Sequence, residues 1–338
     1  MLKIPNNKNY LLDNYGRNID YLRISVTDRC NLRCTYCMPE KMKFLKKNDI
    51  LTFDEMYELC EQFVSRGIKK IRITGGEPLV RKGLIEFVKK LNYLKQIKLI
   101  EEITLTTNAT LLKENINNIK YSGIDRINVS LDTLEEKKFK KITRRNDLKK
   151  VLSGIYSALE NNIKLKINTV VLKDTNIEEI PRIITWAHNN SMDISLIETM
   201  PMGGIDGDRY DQFFSISNMK KIIEKKFVLK KSNYSTSGPS KYYDVKETGG
   251  KIGFITPLSE NFCSTCNRIR LTCNGELYMC LGQNDKIDFK SILRSKDYNK
   301  LDDAINLAMR IKPEKHDFFI KPNMKEFKIS RNMSVTGG

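Results

Sequence analysis

Three cysteines within eight residues, Cys30, Cys34 and Cys37, form the most specific chemical pattern in the sequence. Thiolates this close together along a chain can face one metal centre, and they select zinc or iron–sulfur clusters. A tetrahedral structural zinc site needs four ligands, whereas three thiolates leave one iron of a 4Fe-4S cube without a protein ligand. The spacing therefore favours a cluster with an open position for a substrate over a zinc knuckle or a trio of buried apolar side chains.

A second group of cysteines lies near the C-terminal end and consists of Cys263, Cys266, Cys273 and Cys280. Four thiolates could complete a zinc site, but a four-cysteine zinc ribbon usually has two CxxC pairs, and Cys273 and Cys280 are too far apart to form the second. Cys60 stands alone in a predicted helix, where we expect it to pack in the core. In a cytosolic chain of this length, the two groups indicate metal binding rather than disulfides.

Length and composition limit the class of protein. A chain of 338 residues exceeds the usual size of one domain, so we expect a large α/β unit and a smaller one. It contains neither an apolar run of about 18 residues nor an N-terminal apolar signal region, so we predict a cytoplasmic protein without a membrane partner. The net charge of +18 would suit nucleic acid or anionic small molecules, but the lysines are spread along the chain, and the charge alone identifies no partner.

The elements that must position the first cysteines follow an alternating pattern of strands and helices. Strands are predicted at residues 21–27, 70–74, 102–107, 126–131, 164–172 and 193–198. Helices are predicted at residues 52–65, 84–94, 111–121, 134–142, 148–161 and 177–189. Thr52 and Glu55 form a capping box at the start of the first helix. Six βα units are too few for a closed eight-unit barrel, so we predict an α/β fold with an incomplete, six-unit TIM-like barrel.

The pattern changes after residue 232. Residues 241–245 and 251–255 flank a Gly-Gly turn as a β-hairpin, and the second cysteine group and helices between residues 290 and 309 follow. We therefore predict a C-terminal α+β extension that carries a second cluster. The predicted divisions are an N-terminal arm (1–14), a partial barrel (15–232), an auxiliary-cluster domain (233–325) and a basic tail ending in Gly-Gly (326–338).

The CxxxCxxC string of the first group, with Tyr36 before its last cysteine, resembles the cluster loop of the radical S-adenosylmethionine (SAM) enzymes. The resemblance implies a 4Fe-4S cluster whose open iron binds the amino and carboxylate groups of SAM. An electron from the cluster would cleave SAM to methionine and a 5′-deoxyadenosyl radical. The resemblance also implies the incomplete barrel. It assigns SAM contacts to Tyr36, to Gly76 in a Gly-Gly-Glu-Pro turn, to Ser130 and to Met200.

The second cysteine group narrows the resemblance. Four features of this region and of the chain end are similar to the GTP 3′,8-cyclase family. They are the Cys263-x-x-Cys266 pair, an Asn-Arg-x-Arg string directly after it, a spacing of thirteen residues between Cys266 and Cys280, and two C-terminal glycines. The resemblance implies a second 4Fe-4S cluster on these three cysteines, whose open iron meets the guanine of GTP. Two positions depart from the family pattern. Cys273 replaces a small residue, and we expect it on a strand of the following hairpin, away from the cluster; Ser195 stands where many members have Arg.

The same resemblance assigns GTP contacts to Arg23, Arg72, Thr106, Lys166, Arg268 and Arg270. The planar fork of arginine suits the several negative charges of a triphosphate. Arg23 would lie close to the ribose and triphosphate. The predicted catalytic residues are Arg23, Gly337 and Gly338. The two glycines end a tail that would reach into the active site.

These assignments imply a radical SAM lyase that converts GTP to (8S)-3′,8-cyclo-7,8-dihydroguanosine 5′-triphosphate, the first step of molybdenum cofactor biosynthesis. The partners implied are GTP, an external one-electron reductant such as a flavodoxin or ferredoxin, and the next pathway enzyme. Members of the family often form homodimers, and no nucleic acid is involved. Two alternatives stay open: a two-cluster radical SAM peptide maturase, and a zinc-dependent nucleic-acid-binding protein without enzymatic activity.

Overall fold

The structure is a computed structural model that describes residues 10–205, 208–236, 238–321 and 329–337. The strands are β1 (Tyr21–Ser25), β2 (Lys70–Thr74), β3 (Glu102–Thr107), β4 (Arg126–Ser130), β5 (Leu165–Val171), β6 (Asp193–Glu198), β7 (Leu229–Lys231), β8 (Lys241–Val245), β9 (Lys251–Ile255), β10 (Arg268–Leu271), β11 (Glu276–Tyr278) and β12 (Lys286–Asp288). The helices are α1 (Phe53–Val64), α2 (Leu84–Gln96), α3 (Leu112–Lys120), α4 (Glu136–Thr143), α5 (Leu148–Glu160), α6 (Ile180–Asn189), α7 (Arg209–Gln212), α8 (Ile216–Ile223), α9 (Phe289–Arg294), α10 (Tyr298–Ile311) and α11 (Met333–Thr336).

The strands form one sheet in the order β12-β11-β10-β1-β2-β3-β4-β5-β6-β9-β8-β7. Strands β1 to β6 are consecutive and parallel, as expected when helices provide the crossovers. All six strands predicted from the sequence are present, and the α/β class is confirmed. Strand β10 extends the parallel run beside β1, and β9 extends it beside β6. The C-terminal segment therefore continues the sheet at both ends.

The two faces of the parallel strands have opposite chemical character. Leu22 and Ile24 of β1 belong to the main apolar core, together with the matching isoleucines and leucines of β2 to β6. The residues between them, such as Arg23 and Ser25, alternate to the other face because successive side chains of a strand point to opposite sides. One face thus packs under the helices, and the other gathers buried polar and charged side chains.

Local hydrogen bonds explain where two helices begin. The predicted capping box is present, since Thr52 Oγ1 accepts from the Glu55 N–H (3.1 Å) and Glu55 Oε2 accepts from the Thr52 N–H (2.7 Å). The predicted helix start at residue 134 is two residues early. Leu134 N–H donates to Oε1 of the buried Glu179 (2.8 Å), which holds this residue outside α4.

The predicted hairpin of the extension is present as antiparallel β8 and β9. The helical region expected between residues 290 and 309 consists of two helices, α9 and α10. Among the described residues, no helix has both the length and the apolar character that crossing a bilayer requires.

Candidate active site

A row of arginines crosses three neighbouring strands on the polar face of the sheet. The register pairs Arg270 of β10 with Arg23 of β1, and Arg23 with Arg72 of β2. Arg268 lies on the same face of β10 as Arg270, two residues earlier. All four side chains are buried. Like charges directly opposite one another on adjacent strands destabilise a sheet, so this row favours an anionic ligand.

The environment of the row lowers the pKa of Arg23 and Arg270. Burial, together with Arg270 and Arg72, holds the pKa of Arg23 well below its usual range. Burial and the neighbouring Arg268 lower the pKa of Arg270 to about 9. Arg72 donates from Nε to Thr104 Oγ1 (3.2 Å), and Arg268 lies over the Phe262 ring, 4.9 Å from its centroid. A hydroxyl group therefore helps to hold the Arg72 guanidinium in place, and an aromatic ring helps to hold that of Arg268.

The row opens into a large cavity that also contains the second cysteine group. The cavity encloses about 880 Å³ of empty space, part of which opens to solvent. Eight residues assigned from the sequence line it: Arg23, Arg72, Met200, Cys263, Cys266, Arg268, Arg270 and Cys280. The volume falls in the range typical of small-molecule sites. The structure thus brings together the cysteines and the arginines that the sequence assigned to one substrate.

Three further side chains on the polar face of the sheet have buried polar atoms that lack partners. Thr106 Oγ1, both amide atoms of Asn128, and Asn168 Oδ1 have no hydrogen-bond partner within the part of the chain that the structure describes. The register places Thr106 of β3 beside Asn128 of β4. Buried polar groups are normally satisfied, so these atoms indicate that a polar ligand completes this face.

The second cysteine loop has a cationic environment. Burial raises the pKa of the Cys266 thiol, but Arg268 and Lys312 outweigh it, so that the pKa is lowered to about 6. Cys280 differs, because burial raises the pKa of its thiol. Arg17 donates to the Cys263 carbonyl (2.7 Å) and thereby joins the segment before β1 to this loop. At neutral pH, Cys266 is consequently a ready thiolate ligand.

The first cysteine loop is anchored to the end of α4. Thr35 N–H donates to Ile142 O (2.9 Å), and Cys37 N–H closes a tight turn by donating to Cys34 O (2.9 Å). Tyr36 donates from its hydroxyl to Asp132 Oδ2 (2.8 Å), which orients the aromatic ring predicted to contact SAM. These contacts position the loop at the carboxyl ends of the parallel strands, where ligands of α/β sheets bind.

The first loop contrasts with the second in its electrostatics. Burial, with a contribution from Glu77, raises the pKa of the Cys30 thiol to about 11. Burial and the nearby Cys30 raise the pKa of Cys37 to about 12, and burial raises the pKa of Cys34 well above its usual range. These thiols are neutral until a metal centre supplies the positive charge that stabilises their thiolates.

A smaller cavity of about 310 Å³ lies beside the first loop. Cys34, Tyr36 and Ser130 line it, together with Asn108 and Asp132. Two residues assigned to SAM, Tyr36 and Ser130, are therefore neighbours of this cavity, whereas Met200 lines the large one.

The Gly-Gly-Glu-Pro turn packs directly against the entry to the first loop. A Cβ atom at Gly76 would lie 2.2 Å from the Arg29 carbonyl oxygen, so this position requires glycine. Glu77 is fully buried and accepts from the Thr107 hydroxyl (2.8 Å) and the Asn108 N–H (2.7 Å). Burial raises the pKa of the Glu77 carboxyl to about 7. The turn thus fixes the cysteine loop and joins it to the ends of β2 and β3.

The C-terminal tail reaches between the two loops. The Gly337 carbonyl accepts from Arg270 Nη1 (3.0 Å), and a Cβ atom there would lie 1.9 Å from Thr74 Oγ1. A backbone hydrogen bond from Ser334 reaches the Cys37 thiol. Gly337, with φ of 74°, therefore fits where a larger residue would clash. Gly338 lies outside the described residues.

Lys166 and Ser195 occupy the polar face of β5 and β6. Lys166 Nζ donates to Ser195 Oγ and to the Tyr242 hydroxyl (both 3.0 Å), and Ser195 Oγ is also 3.0 Å from Ser240 Oγ. Hydroxyl groups therefore surround the Lys166 ammonium group, and Ser195 supplies one of them. Lys166 and Thr106 do not line either cavity described above.

Cys273 is buried in the main core rather than exposed to the large cavity. It lies in the turn between β10 and β11, not on a strand as predicted from the sequence. Its carbonyl accepts from the Leu51 N–H (2.7 Å), and burial raises the pKa of its thiol to about 12. This position explains how a cysteine is tolerated there as a core side chain.

The residues present fit iron–sulfur clusters in the chemistry of their donors. In the described part of the chain, no group of three or more Cys, His, Asp or Glu side chains converges as a site for a single metal ion. A cluster distributes its thiolate ligands over different iron atoms, so its ligands do not need to converge in that way. Both trios are free thiols; all three cysteines of the second trio line the large cavity, and Cys34 of the first lines the smaller one.

Several residues at the site carried no signal in the sequence. Arg209 is almost fully buried and donates to the Tyr36 carbonyl (2.8 Å), which joins α7 to the first loop. His316 lines the large cavity, and Lys312 lies behind the second loop. Asn168 could have been inferred, because it shares a strand face with Lys166. Arg209, Lys312 and His316 lie outside the sequence motifs.

Comparisons with known proteins agree with this arrangement. The Radical SAM superfamily model matches residues 24–187, and the Molybdenum Cofactor Synthesis C model matches residues 192–318. Among solved structures, SuiB of Streptococcus suis bound to S-adenosylmethionine has a TM-score of 0.61 at 17% identity. That alignment covers 86% of this chain and 68% of SuiB, and it supports the fold alone.

Curated relatives match almost the whole chain. The GTP 3′,8-cyclase of Sinorhizobium medicae is 50% identical over 97% of this chain and 94% of its own length. The enzymes of the same name from Rhizobium leguminosarum bv. trifolii and Mesorhizobium japonicum are 51% and 49% identical over the same share of this chain, with 94% and 99% of their own lengths covered. The resemblance stated from the sequence is thus confirmed, and the chain belongs to the GTP 3′,8-cyclase family of radical SAM enzymes.

Proposed function

We propose that the protein converts GTP to (8S)-3′,8-cyclo-7,8-dihydroguanosine 5′-triphosphate, the first step of molybdenum cofactor biosynthesis. The observation that carries the proposal is the buried row Arg270, Arg23 and Arg72, which opens into the same cavity as the second cysteine group. A polyanion that also carries a ligand for an open iron fits both features at once. The names of the curated relatives support the same substrate.

The first trio, Cys30, Cys34 and Cys37, would hold a 4Fe-4S cluster with SAM at its open iron. When bound, the cluster and SAM would supply one-electron cleavage of SAM to methionine and a 5′-deoxyadenosyl radical. This radical would remove the 3′ hydrogen of the GTP ribose. Gly76, Tyr36, Ser130 and Met200 would contact SAM. The buried Tyr36–Asp132 hydrogen bond supports that role, because it fixes the ring before SAM arrives.

The second trio, Cys263, Cys266 and Cys280, would hold a second 4Fe-4S cluster, with guanine at its open iron. The cationic environment that makes Cys266 a ready thiolate supports this assignment. Because Cys273 is buried in the core, it would not supply a fourth ligand, and the open iron would remain for the substrate. The second cluster and its binding of guanine go beyond the family assignment, which implies one 4Fe-4S cluster and SAM.

The arginines would bind the triphosphate and hold the ribose toward SAM. Arg23 is the central member of the row, so it would sit nearest the phosphates and ribose, and Arg72, Arg268 and Arg270 would flank it. Thr106 and Lys166 would contribute from β3 and β5. Gly337 and Gly338 would close the cavity; the hydrogen bond from Arg270 to the Gly337 carbonyl supports a tail that helps exclude water.

The sheet would curl into an incomplete, six-unit barrel. Residues of β2 and β10 line the same cavity as residues of β5 and β6, which flat strands in this order could not do. The proposal includes the division into an N-terminal arm (1–14), a partial barrel (15–232), an auxiliary-cluster domain (233–325) and a basic tail (326–338). We also keep the cytoplasmic location, the homodimer, the flavodoxin- or ferredoxin-like reductant and the next pathway enzyme as parts of the proposal.

Anaerobic incubation of the holoenzyme with SAM, GTP and dithionite tests the function. We expect 5′-deoxyadenosine and the cyclised nucleotide to form in step; when ATP replaces GTP, only slow, uncoupled formation of 5′-deoxyadenosine and no cyclised nucleotide are expected. Formation of 5′-deoxyadenosine only when a peptide is added would instead support the maturase alternative. A protein that contains zinc, cleaves no SAM and binds nucleic acid with strong salt dependence would contradict the proposal.

A further inference from the structure

Lys312 has no role in the reaction described above, yet its position is unusual for a lysine. It directly follows α10, and its side chain is only 2% exposed. A buried ammonium group loses its hydration, and this cost is met only when its three N–H donors find acceptors within the protein. The surroundings of Lys312 therefore indicate what it does.

Each of the three donors has one acceptor. Lys312 Nζ donates to the Met279 carbonyl (2.6 Å) and the Arg268 carbonyl (2.9 Å), and it lies 4.0 Å from Cys266 Sγ. Met279 directly precedes Cys280, so the ammonium group joins the two separate segments that supply the second cysteine trio. On the other side, Arg17 donates to the carbonyls of Pro313 (2.6 Å) and Glu314 (2.7 Å), which fixes the chain just after Lys312.

The charge of Lys312 is separated from the substrate. Arg268 and Arg270 line the large cavity, where a bound triphosphate would offset their charge, whereas Lys312 does not line it. The positive charges of Arg17 and Arg268 lie near Lys312, and the thiols that face it are those of Cys266 and Cys280. Its charge therefore acts on the Cys266 sulfur whether or not substrate is bound.

We propose that Lys312 is a positioning residue that raises the reduction potential of the second cluster through its contact with Cys266. The inference rests on the proposed function, because it requires a cluster on this trio. Reduction adds one electron, taken from an external reductant, and so makes the cluster more negative. A fixed cation and an N–H···S hydrogen bond both stabilise that added charge.

The test isolates the second cluster in the full chain by replacing Cys30, Cys34 and Cys37 with Ala. Lys312→Met removes the charge and all three donors. Lys312→Gln keeps donors for the two carbonyls but has no charge, so it separates the charge from the structural tie. Lys315→Met is the matched control, because this lysine is exposed and only three residues away. The readout is a potentiometric titration with dithionite, followed by the electron paramagnetic resonance signal of the reduced cluster.

We expect Lys312→Met and Lys312→Gln to favour the oxidised cluster by about tenfold, a shift of about 59 mV to more negative potential for one electron. The control should titrate like its parent. An unchanged potential in Lys312→Gln, or loss of the cluster in both variants, would overturn the inference in favour of a purely structural role. If the parent variant itself binds no cluster, it is the proposed second cluster that fails, and the two failures are thereby distinguished.

Discussion

The two cysteine loops hold the same kind of ligand in opposite electrostatic surroundings. Near the first loop lie the buried carboxyl groups Glu77 and Asp132, and burial raises the thiol pKa of Cys30 to about 11. Near the second lie Arg268 and Lys312, which lower the pKa of Cys266 to about 6. The first loop thus suits a cationic ligand such as the sulfonium of SAM, and the second suits a polyanion.

This difference separates the two halves of the proposed reaction. The first loop, which lies beside the carboxyls of Glu77 and Asp132, would act on SAM, and the second loop, which lies beside Arg268 and Lys312, would bind the nucleotide. The tail lies between them, because Ser334 contacts Cys37 while Gly337 accepts from Arg270. A change that disables one cysteine loop should therefore leave much of the chemistry at the other loop intact. The predictions below test that independence.

The largest effect should come from removing one trio at a time. Replacing Cys30, Cys34 and Cys37 with Ala should abolish SAM cleavage entirely and lower iron from about eight to about four per chain. Replacing the second trio should lower iron equally but leave slow, uncoupled formation of 5′-deoxyadenosine and no cyclised product. Iron analysis and chromatography of the nucleosides measure both. Uncoupled cleavage that disappears with the second trio would show that the halves are not independent.

The buried carboxyl of Glu77 should make the stability of the first region depend on pH. A carboxyl whose pKa is raised to about 7 on folding holds its proton more tightly in the folded state. Its stabilisation is therefore present below the unfolded pKa and is lost as pH rises through about 7. From about pH 4 to about pH 8, the free energy of unfolding should fall by roughly 3 kcal/mol relative to Glu77→Gln.

Urea titration of the metal-free full-length chain at a series of pH values measures this difference. Glu86→Gln is the control, since that carboxyl is exposed on α2. Parallel pH profiles for wild type and Glu77→Gln would mean that folding leaves the pKa of Glu77 unchanged, and would contradict this prediction.

Removal of a cavity arginine should affect the second region alone. Arg268→Ala and Arg270→Ala should each weaken GTP binding by about 10- to 100-fold, because each loses a charge-assisted hydrogen bond of about 1.5–3 kcal/mol. Uncoupled SAM cleavage should stay largely intact. Calorimetry measures the affinity, with the exposed Arg310 replaced by Ala as control. Unchanged GTP affinity would count against this assignment of the row.

The smallest effect is an increase in stability without ligand. Arg23 has an arginine directly opposite it on each side, so Arg23→Met should stabilise the ligand-free protein by about 1 kcal/mol at low salt while weakening GTP binding. The gain should shrink as salt screens the repulsion. Thermal unfolding at two salt concentrations measures it. A variant less stable than wild type at low salt would show that Arg23 is not under repulsion.

Much of the fold could be predicted from the sequence because the six parallel strands are short and strongly apolar, with polar residues at alternate positions. The capping box at Thr52 was predicted for the same local reason. The start of α4 could not be, since it depends on Glu179, which is distant along the chain.

At the site, motifs indicated the cysteines, and also Arg268 and Arg270, which follow Cys266 within four residues. Their alignment with Arg23 depends on β10 pairing with β1 across more than two hundred residues, which no local pattern encodes. The same holds for Lys312 and Arg209, whose roles depend on contacts made only in the folded chain.

The central claim is that the arginine row presents the ribose of GTP to SAM at the first loop. GTP carrying deuterium on the ribose 3′ carbon tests it most directly, through mass spectrometry of the 5′-deoxyadenosine formed by the holoenzyme. We predict that the product carries one deuterium per molecule when cyclised nucleotide is formed. Cyclised nucleotide formed together with unlabelled 5′-deoxyadenosine would contradict the account.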